Sequence, residues 1–232
     1  MNKTLIFQDL GLISYASAWA YQKALFASLI QHKTEHSNSP NLNYLIFCEH
    51  PPVFTLGKNG QAENLLIDKK QLNQEGINFF KVDRGGDITY HGPGQLVGYL
   101  VLDLDNFGIG LKTFVSSIEQ AIIQLLAKYR IQGEQMPKSS GVWIEQDRKI
   151  CALGIRASRM VTMHGFALNV NTNLQHFTMI NPCGYVDKRV TSMEAELGKA
   201  VPLEKVKTYL RTGLSQTLEA EILEDFLISD VF

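Results

Sequence analysis

The sequence predicts an α+β fold, a mixed or antiparallel sheet with helices packed on it. Two strongly periodic helical segments flank several short strand-like runs. Three of those runs follow one another across turns too short for anything but antiparallel pairing. There are no internal repeats and no low-complexity linker, so one domain over residues 1–232 is expected.

Thr4–Phe7 reads as a short strand. From Tyr15 to His32, apolar side chains recur at helical spacing, Trp19, Ala20, Leu25 and Ile30 among them. The polar segment His36–Asn43 reads as a surface loop. Asn43–Cys48 is a strand-forming run closed by Pro51-Pro52. Glu63–Gln74 reads as helix and Ile77–Val82 as strand. Arg84–Gln95 (RGGDITYHGPGQ) holds four glycines and a proline in twelve residues, and an apolar run, Leu96–Leu104, follows it. Leu111–Ile131 is the most periodic helix. Gly141–Glu145, Lys149–Ser158 and Met160–Val170 are the three closely spaced strands. A loop with Asn181-Pro182-Cys183-Gly184 precedes a short helix near Ser192–Leu197 and an amphipathic helix over Leu203–Leu218.

Composition narrows the function. Of the 232 residues 45% are apolar and 19% charged, enough to bury a core. The net charge is −1 with no basic stripe, so nucleic acid is not an expected partner. No run approaches the ~20 apolar residues that cross a bilayer, and the N-terminal apolar run is too short for a signal peptide. Cytoplasm is the expected location, with no membrane partner. The three cysteines, Cys48, Cys151 and Cys183, are widely spaced and lack a CxxC pair, which argues against a disulfide framework or a zinc site. Cys48 and Cys151 lie in apolar strands and read as buried, inert thiols. Cys151 is two residues from Lys149, hence on the same strand face. Cys183 sits in a Pro-Cys-Gly turn that can present it to a cleft. On these residues alone it is either a reactive thiol or a bystander, and Lys149 reads as a solvated strand end beside Arg148.

The glycine-rich segment is either a binding loop, where missing Cβ atoms let backbone approach a ligand, or a pair of tight turns. It is neither a P-loop nor a dinucleotide fingerprint. His91 and His164 are candidates to orient a substrate or assist proton transfer, or are satisfied structural rings.

RGGDITYHGPGQLVGY resembles the signature of the octanoyltransferases of lipoate biosynthesis, the lipoate-protein ligase B family. Lys149–Ile155 (KICALGI), His164–Asn169 (HGFALN) and Pro182-Cys183-Gly184 match in the same order, so the resemblance covers about residues 43–197. It implies the fold of the biotin and lipoate protein ligase catalytic domains. It also implies transfer of octanoyl from octanoyl-acyl carrier protein to a lysine of lipoyl domains, those of 2-oxoacid dehydrogenase E2 subunits and the glycine cleavage H protein. The family roles make Cys183 the nucleophile, loaded as a thioester, and Lys149 its partner. Substrate binding falls on Arg84, Gly85, Gly86, Asp87, Ile88, Thr89, Tyr90 and His91, and on Ala152, Leu153, Gly154, Gly165, Phe166 and Ala167.

The chemistry is coherent. A free thiol is only a few per cent thiolate at neutral pH, and a nearby ammonium raises that fraction. Amide formation from a thioester is downhill, so no cofactor, nucleotide or metal is expected. Other readings share parts of the pattern: an ATP-dependent lipoate or biotin ligase, an acyl-carrier binding module, and a thioesterase-like hydrolase.

Overall fold

The computed structural model describes residues 2–35, 42–137, 139–181 and 188–224. Its strands are β1 (Thr4–Leu12), β2 (Asn43–Glu49), β3 (Val53–Leu56), β4 (Asn78–Lys81), β5 (Ile88–His91), β6 (Gln95–Val101), β7 (Glu134–Met136), β8 (Ser139–Ile144), β9 (Arg148–Ser158), β10 (Val161–Asn169), β11 (Arg189–Val190) and β12 (Glu221–Glu224). Its helices are α1 (Tyr15–Thr34), α2 (Lys69–Gln74), α3 (Leu104–Phe107), α4 (Leu111–Lys128), α5 (Met193–Leu197) and α6 (Leu203–Leu218).

The main sheet runs β12-β1-β2-β6-β10-β9-β8-β7, with β11 added alongside β9. β1 is parallel to β2 and β12, and the pairings from β2 through β7 are antiparallel, so the sheet is mixed as expected. The three consecutive strands pair as their short turns require. A smaller sheet, β4-β3-β5, stands apart from it.

Each face of the main sheet has its own helical cover. On one side α4 and α6 contribute Phe114, Ile118, Leu125, Leu210 and Leu214 to the largest core, with Leu5, Leu45, Phe47 and Leu100 from the sheet. On the other lies α1, capped at its start by Ser14 Oγ accepting from Ser17 N–H. Its buried stripe Tyr15, Ala18, Gln22, Phe26 and Leu29 follows the helical period. Ala18 meets Ile46, Val97 and Tyr99, and Phe26 and Leu29 meet Val101, Val161 and Met163.

Two expectations need correction, and one strand lies where the sequence reading assigned none. The segment expected to be helical over Glu63–Gln74 is α-helical only in α2. Ala62–Asn64 is a single 3₁₀ turn, and Leu65 and Leu66 are drawn into bridging contact with Ile180 and Met179. The helix starts where Asp68 and Gln71 form a capping box. The run Val53–Leu56 after Pro51-Pro52 is a strand, because β4 and β5 flank it on both edges. Part of the polar loop expected at His36–Asn43, residues 36–41, lies outside the described residues, and Asn43 begins β2.

The second correction concerns β9. Val142 pairs with Cys151 but Trp143 pairs with Lys149, so Ile150 is an extra residue, a β-bulge. Ile150 and Cys151 both enter the main core, while Lys149 lines a cavity on the opposite face. The simple two-residue period that placed Lys149 and Cys151 on one face therefore fails at this step.

Close packing also constrains the sheet. A Cβ on Gly98 would meet the ring of Phe166, its cross-strand partner, at 2.1 Å. Gly98→Ala should therefore destabilise the protein by about 1–3 kcal/mol, the usual cost of overpacking. Urea denaturation at neutral pH measures this, and an unchanged midpoint would show that the ring relaxes freely.

Candidate active site

A cavity of about 340 Å³ lies on the α1 side of the main sheet, bounded by the small sheet and the glycine-rich segment. That volume is at the small end of ligand-binding sites. Its sheet wall is made of residues in cross-strand register. Gln95 stands opposite Asn169, Val97 opposite Ala167 and Ala152, and Tyr99 opposite Gly165 and Gly154. The wall thus passes from an amide pair, beside Lys149, through small apolar side chains to glycines. From Asn169 to Gly165 the distance along β10 is roughly 13 Å.

β5 supplies another wall. Thr89 and His91 line the cavity, whereas Tyr90 turns to the opposite face and packs against Phe54, His176 and Phe177. Alternation along the strand, which the glycine-rich pattern masked, puts Tyr90 in a second core and outside the cavity lining. Gly85 is also outside it, and its N–H bonds the Ile155 carbonyl. Arg84 lines the cavity with its guanidinium held by the Thr55 carbonyl at 2.6 Å and the Thr55 hydroxyl at 2.8 Å. Asp87 accepts from Asn64 Nδ2 at 2.6 Å, and Gly86 uses a positive φ of 86° to turn the chain. Gly86, Asp87, Ile88, Ala152, Leu153, Gly154, Gly165, Phe166 and Ala167 all border the cavity. The Phe166 side chain belongs to the main core.

Lys149 Nζ lies 4.6 Å from the centre of the Trp143 ring. Cys183, with Pro182 and Gly184, lies outside the described residues. Cys48 and Cys151 are fully buried, and burial pushes both thiols well above their ordinary range. This agrees with the inert role expected of both.

Sequence reasoning missed Tyr15, Gln95, Val97, Tyr99 and Asn169 as wall residues. β6 is buried on both faces, so its cavity face carries no polarity signal. At the glycine end, His164 Nε2 lies 2.9 Å from Asp83 Oδ1, and Arg156 also pairs with Asp83. The bond from His164 holds the Asp83 carboxyl well below the usual carboxylate range, with Arg156 adding to it. Asp83 is thus the acceptor, and His164, lowered by burial, is a neutral donor.

Two more buried rings border this region. Nδ1 of His50 donates to the Ile13 carbonyl at 2.8 Å, so its Nε2 accepts from the Tyr99 hydroxyl at 2.7 Å. Burial lowers His50 to about 4. His91 is lowered to about 3 by burial, then by the charges of His50 and Arg84. Among the described residues no group of three or more His, Cys, Asp and Glu converges as metal ligands, and no helix is long and apolar enough to cross a membrane.

Comparisons with known proteins place this architecture. Residues 14–215 match the lipoyl protein ligase A/B catalytic domain. Among solved structures, the fold is shared with a bipartite lipoate protein ligase from Thermoplasma acidophilum (TM-score 0.72, 17% identity, covering 97% of this chain and 87% of that one). It is also shared with lipoate-protein ligase A bound with ATP (TM-score 0.71, 17% identity, covering 97% and 89%). The chain is therefore a lipoyl protein ligase A/B catalytic domain, with the fold of that class. An octanoyltransferase of Cytophaga hutchinsonii is 49% identical over 232 residues, 95% of each chain. One from Flavobacterium johnsoniae is 47% identical over 96% of this chain and 100% of its own. The chain belongs to the octanoyltransferase family of lipoate biosynthesis and is an acyltransferase.

The buried rings set a pH dependence. His50 and His91 stay neutral when folded and take up protons near pH 6.5 when unfolded. The unfolded chain binds more protons from about pH 6.5 down to about 4, so stability is full above that window and falls as pH drops through it. The expected slope is up to about 1.4 kcal/mol per pH unit for each ring. Urea denaturation from about pH 7.5 to 4.5 tests this, and a flat profile would contradict it.

Proposed function

We propose that this protein transfers octanoyl from octanoyl-acyl carrier protein to a lysine of a lipoyl domain, through a thioester on Cys183, in the cytoplasm. Residues 1–232 act as one catalytic domain. The observation that carries the reading is the wall of the cavity, in which an amide-and-lysine end gives way to small apolar residues in cross-strand register. The octanoyltransferase relatives supply the acyl group. The thermophilic ligase was studied with its E2 lipoyl domain, which suggests the acceptor class, extended here to 2-oxoacid dehydrogenase E2 subunits and the glycine cleavage H protein.

The wall suits an acyl chain. Seven C–C bonds of about 1.5 Å in zigzag span roughly 9 Å, shorter than the wall. Burying six or seven methylenes contributes about 5 kcal/mol. The Cys183 thiolate attacks the thioester carbon, the π pair moves to oxygen, and collapse expels the carrier thiolate, which takes a proton from the Lys149 ammonium. Neutral Lys149 then takes a proton from the incoming lysine. That amine attacks the new thioester, Cys183 leaves as thiolate, and the nitrogen releases its remaining extra proton to solvent. Cys183 is regenerated, and no ATP or metal enters the balance.

Incubation with octanoyl carrier protein in nucleotide-free, chelator-treated buffer should add one hydroxylamine-labile octanoyl group to Cys183, discharged by a lipoyl domain. Cys183→Ser should not load at a comparable rate, and Lys149→Ala should slow transfer about 10²–10⁴-fold. Mass measurement of all three proteins decides: loading elsewhere, a strict need for ATP, or free octanoate without acceptor would each remove the reading.

Chain length supplies a separate test. Ala167 and Ala152 face each other across the middle of the wall. Ala167→Leu should fill that space and shift preference from octanoyl toward shorter acyl groups by about 10-fold or more in kcat/KM. An unchanged chain-length profile would place the acyl group elsewhere.

A further inference from the structure

We infer that Asn169 is a catalytic residue whose side-chain amide donates a hydrogen bond to the thioester carbonyl oxygen as negative charge develops on it. The inference rests on the acyl-transfer reading above and adds a role that the sequence motifs do not assign.

Two backbone carbonyls fix the orientation of every amide involved. Asn169 Nδ2 lies 3.0 Å from the Thr191 carbonyl, which can only accept, so that atom is the nitrogen and Oδ1 points the other way. Gln95 Nε2 lies 2.9 Å from Asn169 Oδ1 and 3.1 Å from the Tyr90 carbonyl, so it too is the nitrogen, with both hydrogens committed. Gln95 Oε1 then accepts from His91 Nδ1 at 2.8 Å. The His91 ring is neutral, so its Nε2 is an acceptor with nothing to donate.

One hydrogen remains. Asn169 Nδ2 has donated once, and its second hydrogen has no partner among the described residues. The side chain is buried at 4% exposure, borders the cavity, and is clamped at both ends, so it is already positioned. A buried amide hydrogen without an acceptor is unfavourable, and an oxygen of growing charge is the acceptor that satisfies it most strongly.

Its place is also appropriate. Thr191 accepts from Asn169 through its carbonyl and donates to the Lys149 carbonyl through its N–H at 3.0 Å. One residue thereby holds the Asn169 amide beside the β9 backbone that carries Lys149. The Asp83–His164 pair stands at the glycine end, where His164 lies roughly 17 Å from Asn169 along β10. It is too distant to serve the same carbon.

In each half-reaction the attacking atom bonds to the carbonyl carbon and the π pair moves to oxygen. Asn169 donates to that oxygen without giving up its hydrogen. When the pair returns, the sulfur leaves as thiolate. Such a donor acts only where charge appears, so it should speed the chemical step more than it tightens binding.

The test uses single-turnover loading of the full-length protein by the octanoyl thioester of pantetheine, with thiol alkylation by iodoacetamide measured in parallel. Alkylation displaces iodide at a saturated carbon and develops no oxyanion. Asn169→Ala and Asn169→Asp should lower the loading rate about 10²–10³-fold while alkylation changes less than about threefold. Loading at the wild-type rate in either variant would overturn the inference, as would an equal fall of loading and alkylation in both, the mark of a supporting role. A wild-type protein that alkylates but takes up no octanoyl group would instead remove the transferase reading itself.

Discussion

Val142 pairs with Cys151 and Trp143 with Lys149, so β9 carries one residue more than β8 across that step, and much of the site depends on it. A regular strand would put Lys149 on the face of Cys151, under α4, where an ammonium would be costly to bury. The bulge sends Ile150 and Cys151 together into that core and delivers Lys149 to the cavity. It also continues into β11, where Val190 pairs with Lys149 and Thr191 N–H bonds its carbonyl. The backbone of Lys149 is therefore held from two sides.

The cavity itself is a product of what is missing. Along β10 and β9 the side chains shrink from Asn169 to Ala167 and Ala152, then to Gly165 and Gly154, while Tyr99 of β6 stands beside the glycines. The glycines are required by close approach: a Cβ on Gly165 would sit 2.0 Å from the Gly98 carbonyl, and one on Gly154 2.9 Å from the Gly85 carbonyl. The space above them is closed by Arg84, which is tied to Thr55 and so cannot swing away at little cost. A rigid apolar slot of this kind discriminates by volume, at about 1–3 kcal/mol per methylene.

Around that slot the titratable rings are kept neutral. His50, His91 and His164 are all lowered by burial, and each donates to a fixed acceptor: the Ile13 carbonyl, Gln95 and Asp83. Neutral, oriented rings tie α1, the glycine-rich segment and the central strands together without placing mobile charge beside an apolar ligand.

Several features were legible in the residues alone. The helical periods of α1, α4 and α6, and the antiparallel order of β8, β9 and β10, follow from local spacing and short turns, which act over a few residues. The glycine-rich segment and the Lys149 strand stood out as a site only through their resemblance to contiguous family motifs, and both border one cavity. What the tertiary structure decided is which face each residue takes. Lys149 parts from Cys151 through a bulge set by the β8 pairing, and Tyr90 leaves the cavity that Thr89 and His91 line. Gln95 and Asn169 meet only because β6 and β10, 74 positions apart at this pair, lie in register. Local periodicity carries no information about such partners, because cross-strand register is set by neighbours distant in the chain.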